Sequence, residues 1–236
     1  IEKIAREKAG IFKPGVPAIA VRQQPSVIEV LRSTAAEVGA PFQVVGEEID
    51  ISIRFEATSN IGPHHRVSLS SPRNDFDHLP VPLKGEHQAW NCVLALAILD
   101  KLCERGFKTP SAKVTRGLAS VKMPGRLEVV SNSPRIVLDG AHNAESMKCL
   151  MKAIAAHIPG ESMVVVFGCA ADKDIDGMLR EVGTAADKII LTRVPGNLRA
   201  ADPKDLARRL AEAGKMSQIA EDVGQALSLA RKAVGR

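Results

Sequence analysis

From residue 135 onward the sequence alternates between short apolar runs and longer amphipathic segments. The short runs suit buried strands, and the longer segments repeat apolar side chains at helical spacing. Strands are predicted at residues 136–138, 163–167, 188–192 and, weakly, 217–220, and helices at 144–157, 175–184, 203–213 and 223–234. Because strands that alternate with helices of this length run in the same direction, the pattern predicts a Rossmann-like α/β domain with a mostly parallel sheet.

The first strand-to-helix turn of this half carries a dense group of polar side chains. Asp139, His142, Asn143 and Ser146 fall within eight residues, directly after an apolar strand pattern. Open α/β sheets bind their ligands at such strand ends, so the group as a whole favours a site. A simpler interpretation stays open for each residue, since Asn143 or Ser146 could cap the helix and Asp139 could end the strand.

The first half of the chain has a different pattern. Residues 51–56 and 66–70 alternate apolar and polar side chains, which predicts a half-exposed antiparallel hairpin. The polar segment 58–65 between them contains His64 and His65. Because adjacent residues of a strand point to opposite faces, we interpret the two histidines as loop residues without a metal role.

The change of pattern coincides with a segment of linker composition, Met123-Pro124-Gly125-Arg126. We therefore predict two domains, residues 1–124 and residues 125–236. The chain begins with Ile1 inside a helical pattern, so we expect it to be a fragment of a longer protein.

Composition excludes several classes of protein. The net charge is only +5 and aromatic residues make up 3%, without any Tyr, which argues against a nucleic-acid partner. No apolar run approaches the roughly 20 residues that span a bilayer, and no signal peptide is evident, so we expect a cytoplasmic protein without a membrane partner. The cysteines form no close pair and are interpreted as free thiols rather than zinc ligands. They are Cys92, Cys103, Cys149 and Cys169.

Three further segments could carry chemistry. His87 and Asn91 are four positions apart at the start of a predicted helix, where they could meet a nucleotide or simply form a solvated first turn. Arg126 follows a glycine, which could free its guanidinium to bind phosphate, although a lone Arg is usually a surface residue. Lys8 lies in a charged helix end and gains no role from composition alone.

Phosphate-binding loops of the known glycine-rich types are missing from the sequence. The Gly214-Lys215 pair is followed by Met216, which fails the Gly-Lys-Ser/Thr motif. No Gly-x-Gly-x-x-Gly follows a predicted strand. An enzymatic function therefore needs residues that this chain does not contain.

Taken in order, five motifs of the chain resemble the folylpolyglutamate synthase/dihydrofolate synthase family of the Mur ligase superfamily. They are Glu7-Lys-Ala-Gly-Ile-Phe-Lys-Pro-Gly-Val-Pro17, Leu83-Lys-Gly-Glu-His-Gln-Ala-Trp-Asn91, Met123-Pro-Gly-Arg-Leu-Glu128, Leu138-Asp-Gly-Ala-His-Asn143 and Val166-Phe-Gly-Cys-Ala-Ala-Asp-Lys-Asp174. Two positions depart from the family pattern, Ala144 where Pro is usual and Met123 where Trp is common. Neither departure removes a polar group.

This resemblance implies an ATP-dependent ligase that joins L-glutamate to folate or dihydropteroate through an acyl phosphate. It implies that Lys8 is carbamylated and binds Mg²⁺ in the full-length protein only, and it leaves a monovalent cation open as a further cofactor. Asn91, with His87 on the same helix face, and Arg126 would contact ATP, and Asp139 and His142 would lie where ATP meets the incoming glutamate. Residues 1–124 would then end the ATP-binding domain, residues 125–236 would form the glutamate-ligase domain, and a monomer is expected.

Other functions stay open at this point. The chain could belong to another Mur-type amino-acid ligase. The Rossmann-like half could instead be a dinucleotide-binding oxidoreductase domain, although the missing glycine fingerprint argues against it. A scaffold that has lost its activity is a third alternative, which the presence of Lys8, Asp139 and His142 disfavours.

Overall fold

The structure is a computed structural model that describes residues 1–158 and 160–234. The chain divides into two compact units, Ile1–Lys122 and Met123–Arg236. The predicted α/β class is confirmed, because each unit combines helices with parallel strand pairs. Among the described residues no helix is both long enough and apolar enough to cross a bilayer.

The first unit starts with a parallel strand pair. Its elements are α1 (Glu2–Ala9), β1 (Ala18–Val21), α2 (Pro25–Val38), β2 (Phe42–Val45), β3 (Ile51–Thr58), β4 (Gly62–Ser70), β5 (Asp75–Pro80), α3 (Glu86–Glu104) and α4 (Ser111–Ala119). Strands β1 and β2 pair in parallel and are joined through α2. Helix α2 begins at Pro25, whose fixed φ suits a first helical position, and is capped by Gly39 at a left-handed φ of 75°.

An antiparallel sheet in the order β3-β4-β5 packs on the long helix α3. The buried core between them includes Val67, Leu69, Phe76, Val93 and Leu96. At its margin Asp100 of α3 is only 6% exposed. Its carboxylate accepts hydrogen bonds from Ser71 Oγ at 2.6 Å and from Asn74 Nδ2 at 2.8 Å, as a buried charge requires.

His64 and His65 lie inside β4, so their interpretation as loop residues is wrong. They pair with Glu56 and Phe55 of β3 and are only 4% and 8% exposed. His64 Nδ1 donates a hydrogen bond of 2.8 Å to the carbonyl of Gly62. The His65 ring lies 5.0 Å from the Phe55 ring. Pairing with a neighbouring strand, rather than an apolar local sequence, makes this segment a strand.

Strands and helices alternate in the second unit as the sequence predicts. Its elements are β6 (Glu128–Asn132), β7 (Arg135–Leu138), α5 (Ala144–His157), β8 (Val164–Phe167), α6 (Ile175–Ala185), β9 (Lys188–Leu191), α7 (Pro203–Glu212), β10 (Gln218–Ile219) and α8 (Val223–Ala233). Strands β8, β9 and β10 form a parallel sheet in the order β10-β9-β8. Strand β6, which the sequence did not predict, pairs antiparallel with β7.

Helices cover both faces of the parallel sheet. On one face Ile189 and Leu191 of β9 pack with Met178 of α6 and with other buried side chains. On the other face Ile190 packs with Ala226 of α8. Because successive strand residues point to opposite faces, both sides need apolar side chains, which explains the continuous apolar runs of this half.

Candidate active site

The turn between β7 and α5 is closed by reciprocal hydrogen bonds. Asn143 Oδ1 accepts from the backbone N–H of Ser146 at 2.8 Å, and Ser146 Oγ accepts from the backbone N–H of Asn143 at 3.1 Å. This arrangement is a capping box. Asn143 and Ser146 therefore act as helix caps, which is the simpler of the two interpretations given for them above. Asp139 and His142 need a separate explanation.

Both carboxylate oxygens of Asp139 accept backbone hydrogen bonds. Oδ1 accepts from the N–H of Ala141 at 2.8 Å, and Oδ2 accepts from the N–H of Leu127 at 2.8 Å. The second bond joins segments that are twelve positions apart in the sequence. Asp139 thus ties the end of β7 to the segment that enters β6, in addition to shaping its own turn.

The segment that Asp139 holds is Gly125-Arg126-Leu127. Gly125 has a φ of 67°, and Leu127 has a φ of 44° although it is not a glycine. The Gly125 N–H donates to Glu128 Oε2 at 2.8 Å, and the Gly125 carbonyl accepts from the N–H of Gly140 at 2.8 Å. Leu127 is buried, at 7% exposure. These contacts fix the backbone on both sides of Arg126.

Arg126 itself is exposed and presents its guanidinium beside Gly140. A methyl group at position 140 would overlap Arg126 Nη1. Nη1 donates a hydrogen bond of 3.3 Å to the carbonyl of Gly125. Within residues 1–158 and 160–234 no carboxylate forms an ion pair with Arg126. A guanidinium without an acidic partner retains its charge and donors for a bound anion.

The ring of His142 is oriented by its own turn. His142 is exposed, and Nδ1 lies 2.9 Å from the carbonyl oxygen of Gly140. Because a carbonyl only accepts, Nδ1 is the donor. In the neutral ring this leaves Nε2 to accept a proton or a hydrogen bond. The structure thus brings Arg126, Asp139 and His142 together around Gly140.

Two neighbouring turns lie at the same end of the second unit. A methyl group at Gly177, near the start of α6, would come within 2.7 Å of Ala144 Cβ at the start of α5. In the turn after β8, Asp172 accepts from Arg199 of the next turn at 3.1 and 3.2 Å. The turns after β7, β8 and β9 therefore gather at the carboxyl ends of their strands, where α/β sheets bind ligands.

The remaining predicted site residues belong to the first unit. Lys8 is exposed in the last turn of α1, and its ammonium has no partner in the described part of the chain. His87 and Asn91 are both exposed, one helical turn apart at the start of α3. Asn91 Nδ2 donates to Oε1 of the buried Gln88 at 3.1 Å, which orients the amide.

Sequence reasoning missed three contributors to the arrangement in the second unit. The Glu128 carboxylate and the Leu127 N–H hold the Arg126 segment by hydrogen bonds. Gly140, which has no side chain, leaves room for the Arg126 guanidinium. All three residues lie inside motifs quoted for the resemblance, and that was the available signal. The left-handed φ of Leu127 has no signal in the sequence, because leucine rarely adopts it.

Metal-binding side chains are not clustered in the part of the chain that the structure describes. No group of three or more His, Cys, Asp or Glu side chains there could hold an ion. These residues therefore do not form a metal cage by themselves. A magnesium ion bound through nucleotide phosphates needs only one or two protein ligands, so this result bears on resident metals rather than on a metal that arrives with a nucleotide.

Comparison with known proteins shows which family of domains the second unit is similar to. A family model described as "Mur ligase, glutamate ligase domain" matches residues 125–236. The dihydrofolate synthase/folylpolyglutamate synthase of Bacillus subtilis is 31% identical over 190 residues, which cover 80% of this chain and 43% of that protein.

Two solved structures agree in fold. A Mycobacterium tuberculosis folylpolyglutamate synthase complexed with ADP has a TM-score of 0.88 and 30% identity, covering 99% of this chain and 52% of that one. A bifunctional folylpolyglutamate synthase/dihydrofolate synthase from Yersinia pestis, complexed with AMPPNP and a Mn ion, has a TM-score of 0.76 and 29% identity, covering 98% and 50%. The chain spans about half the length of these relatives. It belongs to the folylpolyglutamate synthase/dihydrofolate synthase family of the Mur ligases.

Proposed function

We propose that the chain is part of an ATP-dependent ligase that joins L-glutamate to the carboxylate of folate, dihydropteroate or both. Residues 1–124 would contribute to ATP binding, and residues 125–236 would form the glutamate-ligase domain. The observation that carries the proposal is the guanidinium of Arg126, which has no carboxylate partner among the described residues and lies against Gly140, in the turn that contains Asp139 and His142. This turn belongs to the domain that the Mur ligase model matches.

The reaction we propose has two steps. The folate carboxylate attacks the γ-phosphorus of ATP, giving an acyl phosphate and ADP. The amine of glutamate then attacks the acyl carbon, phosphate leaves, and the nitrogen loses a proton. Positioning and charge stabilisation dominate such phosphoryl transfers.

Each residue of the site has a task that its geometry suits. Arg126 would bind phosphate oxygens with its two guanidinium edges. His142, whose Nδ1–H donates a hydrogen bond to the Gly140 carbonyl, would accept a hydrogen bond or the departing proton at Nε2. Asp139 would act mainly as a positioning residue, because both of its oxygens already accept backbone N–H groups.

The first unit would supply the remaining contacts to ATP. We propose that His87 and Asn91, on one face of α3, contact the nucleotide. We propose that Lys8 carries a carbamate whose anionic oxygens suit Mg²⁺, the hard cation that neutralises phosphate charge. In the full-length protein Lys8→Ala is expected to lose activity and to regain part of it when a short carboxylate such as acetate or formate is added. A Lys8→Ala enzyme with full activity and unchanged Mg²⁺ dependence would contradict the modification.

The decisive experiment is a ligation assay on the full-length protein. Dihydropteroate and tetrahydrofolate are each offered with glutamate and ATP, and glutamylated product and ADP are measured. We expect product with at least one acceptor, in equal amount to the ADP formed. No product with either acceptor, or nicotinamide released from the purified protein, would contradict the proposal.

The 236-residue chain itself is the matched control in this assay. Its sequence contains no Gly-rich loop with Lys-Ser/Thr that could cradle the β- and γ-phosphates. We therefore expect the chain alone neither to hydrolyse ATP nor to ligate glutamate. Turnover by the chain alone would show that the phosphates are bound in another way.

A further inference from the structure

The absence of a side chain at Gly140 determines where the Arg126 guanidinium can lie. A Cβ atom at position 140 would overlap Nη1 of Arg126 and approach its Cζ at 3.7 Å. The nearest backbone atom named at that position is the Gly125 carbonyl oxygen, at 3.5 Å, an ordinary contact distance. The guanidinium therefore occupies the volume that any larger residue at position 140 would fill.

The backbone of Gly140 does not itself require glycine. Its φ lies outside the left-handed range that Gly125 adopts. An alanine at position 140 would displace only the end of a long, exposed side chain, not backbone atoms. The fold can therefore accept alanine at position 140, and the substitution changes the position of the Arg126 guanidinium instead.

Other contacts hold the Arg126 backbone independently of the space at Gly140. Leu127 N–H donates to Asp139, and Gly125 N–H donates to Glu128. The side chain of Arg126 has no acidic partner that would fix it elsewhere in the described ranges. The open space over Gly140 therefore sets the direction of the guanidinium, together with the hydrogen bond from Nη1 to the Gly125 carbonyl that this space permits.

We propose that Gly140 is a positioning residue that directs Arg126 toward the nucleotide phosphate. The proposal rests on the proposed function, in which Arg126 binds ATP. Its consequence is that Gly140→Ala reproduces the defect of Arg126→Ala without loss of the fold. A misplacement on the order of 1 Å can cost about 10²-fold in rate, so we expect a loss of that size in kcat/KM for ATP.

A double-mutant cycle in the full-length protein tests this coupling. Gly140→Ala, Arg126→Ala and the double variant are compared by kcat and KM for ATP and by thermal melting. Gly117→Ala in α4, where nothing lies within 4 Å of the added methyl group, is the matched control and is expected to behave as wild type. We expect Gly140→Ala to change the same kinetic constant as Arg126→Ala, the double variant to be no worse than Arg126→Ala, and melting to stay unchanged.

The outcomes separate this proposal from the proposed function. Three results would each overturn the positioning role. The losses in kcat/KM of the two single variants could multiply in the double variant, Gly140→Ala could be normal while Arg126→Ala is defective, or Gly140→Ala could clearly lower the melting temperature. A normal Arg126→Ala enzyme would instead refute the phosphate role of Arg126. Crystal structures of the 236-residue chain decide the geometry without activity: the guanidinium is expected to move in Gly140→Ala, and an unmoved guanidinium would overturn the inference.

Discussion

Replacing Asp139 by alanine tests the hydrogen bonds that join the β7–α5 turn to the Arg126 segment. The change leaves two backbone donors, the N–H groups of Leu127 and Ala141, without their acceptor. Ala141 is partly exposed, so water can replace Asp139 as the acceptor for its N–H, and the loss of this hydrogen bond costs little. Leu127 is 7% exposed, and its donor loses a charge-assisted bond that contributes about 1.5–3 kcal/mol.

The backbone of Leu127 increases the sensitivity of this position. A left-handed φ costs a non-glycine residue roughly 1–2 kcal/mol, and Leu127 holds a φ of 44°. When the bond to Asp139 is lost, that strain favours opening of the segment. We therefore expect Asp139→Ala to lower the local free energy of opening by about 1.5–3 kcal/mol.

Amide hydrogen exchange measures this opening directly. The Leu127 amide is expected to exchange roughly 10- to 150-fold faster in Asp139→Ala, since 1.4 kcal/mol corresponds to a factor of ten. The control is Asp172→Ala, which removes exposed ion pairs with Arg199 and Lys173, each of a kind that contributes at most about 1 kcal/mol. Unchanged exchange at Leu127 in Asp139→Ala, or equal acceleration in both variants, would refute the reasoning.

Three further predictions concern stability and reactivity. Asn143→Ala removes the capping box and is expected to cost about 1 kcal/mol of stability, measurable by urea unfolding; no change would contradict the cap. Hydrogen bonds from Asn74 and Thr109 lower the pKa of Cys103, whereas burial raises the pKa of Cys92 to about 11. Iodoacetamide is therefore expected to label Cys103 before Cys92, as measured by peptide mass analysis, and faster labelling of Cys92 would contradict this order. Burial raises the pKa of Asp100, but its hydrogen-bond donors outweigh burial and hold the pKa below the usual 3.8. The stabilisation from this carboxylate is therefore present above that value and is lost as the pH falls through the folded pKa. Asp100→Asn is expected to be less stable at pH 7 and to lose less stability on acidification, and an equal acid-induced loss in variant and wild type would contradict this.

Local patterns predicted most of the second unit because its signals are local. Apolar runs gave β7, β8 and β9, and the Asp202-Pro203 pair marks the start of α7, where Asp202 accepts from the N–H of Lys204 at 3.0 Å. Strand β6 was missed, since its residues become a strand through pairing with β7. The same reason explains His64 and His65, whose burial depends on β3 and not on their own sequence.

The candidate site shows the same limit. Asn143 and Ser146 were recognisable as a cap because both partners lie within one turn. The bond from Leu127 to Asp139 and the space that Gly140 leaves for Arg126 join segments far apart in the sequence. Motif order indicated that these residues matter, but only the packed structure indicates which of them act through another residue.

The most direct test of the account is the ligation rate of the full-length protein when Arg126 is replaced by alanine. Arg180→Ala, which removes an exposed guanidinium from α6 of the same unit, is the matched control. We predict that Arg126→Ala loses about 10²–10³-fold in the rate of ATP-dependent glutamate addition, as when one preorganised charge-stabilising group is removed, with unchanged melting, while Arg180→Ala stays near wild type. An Arg126→Ala enzyme with a normal rate at saturating ATP and glutamate would contradict the central claim.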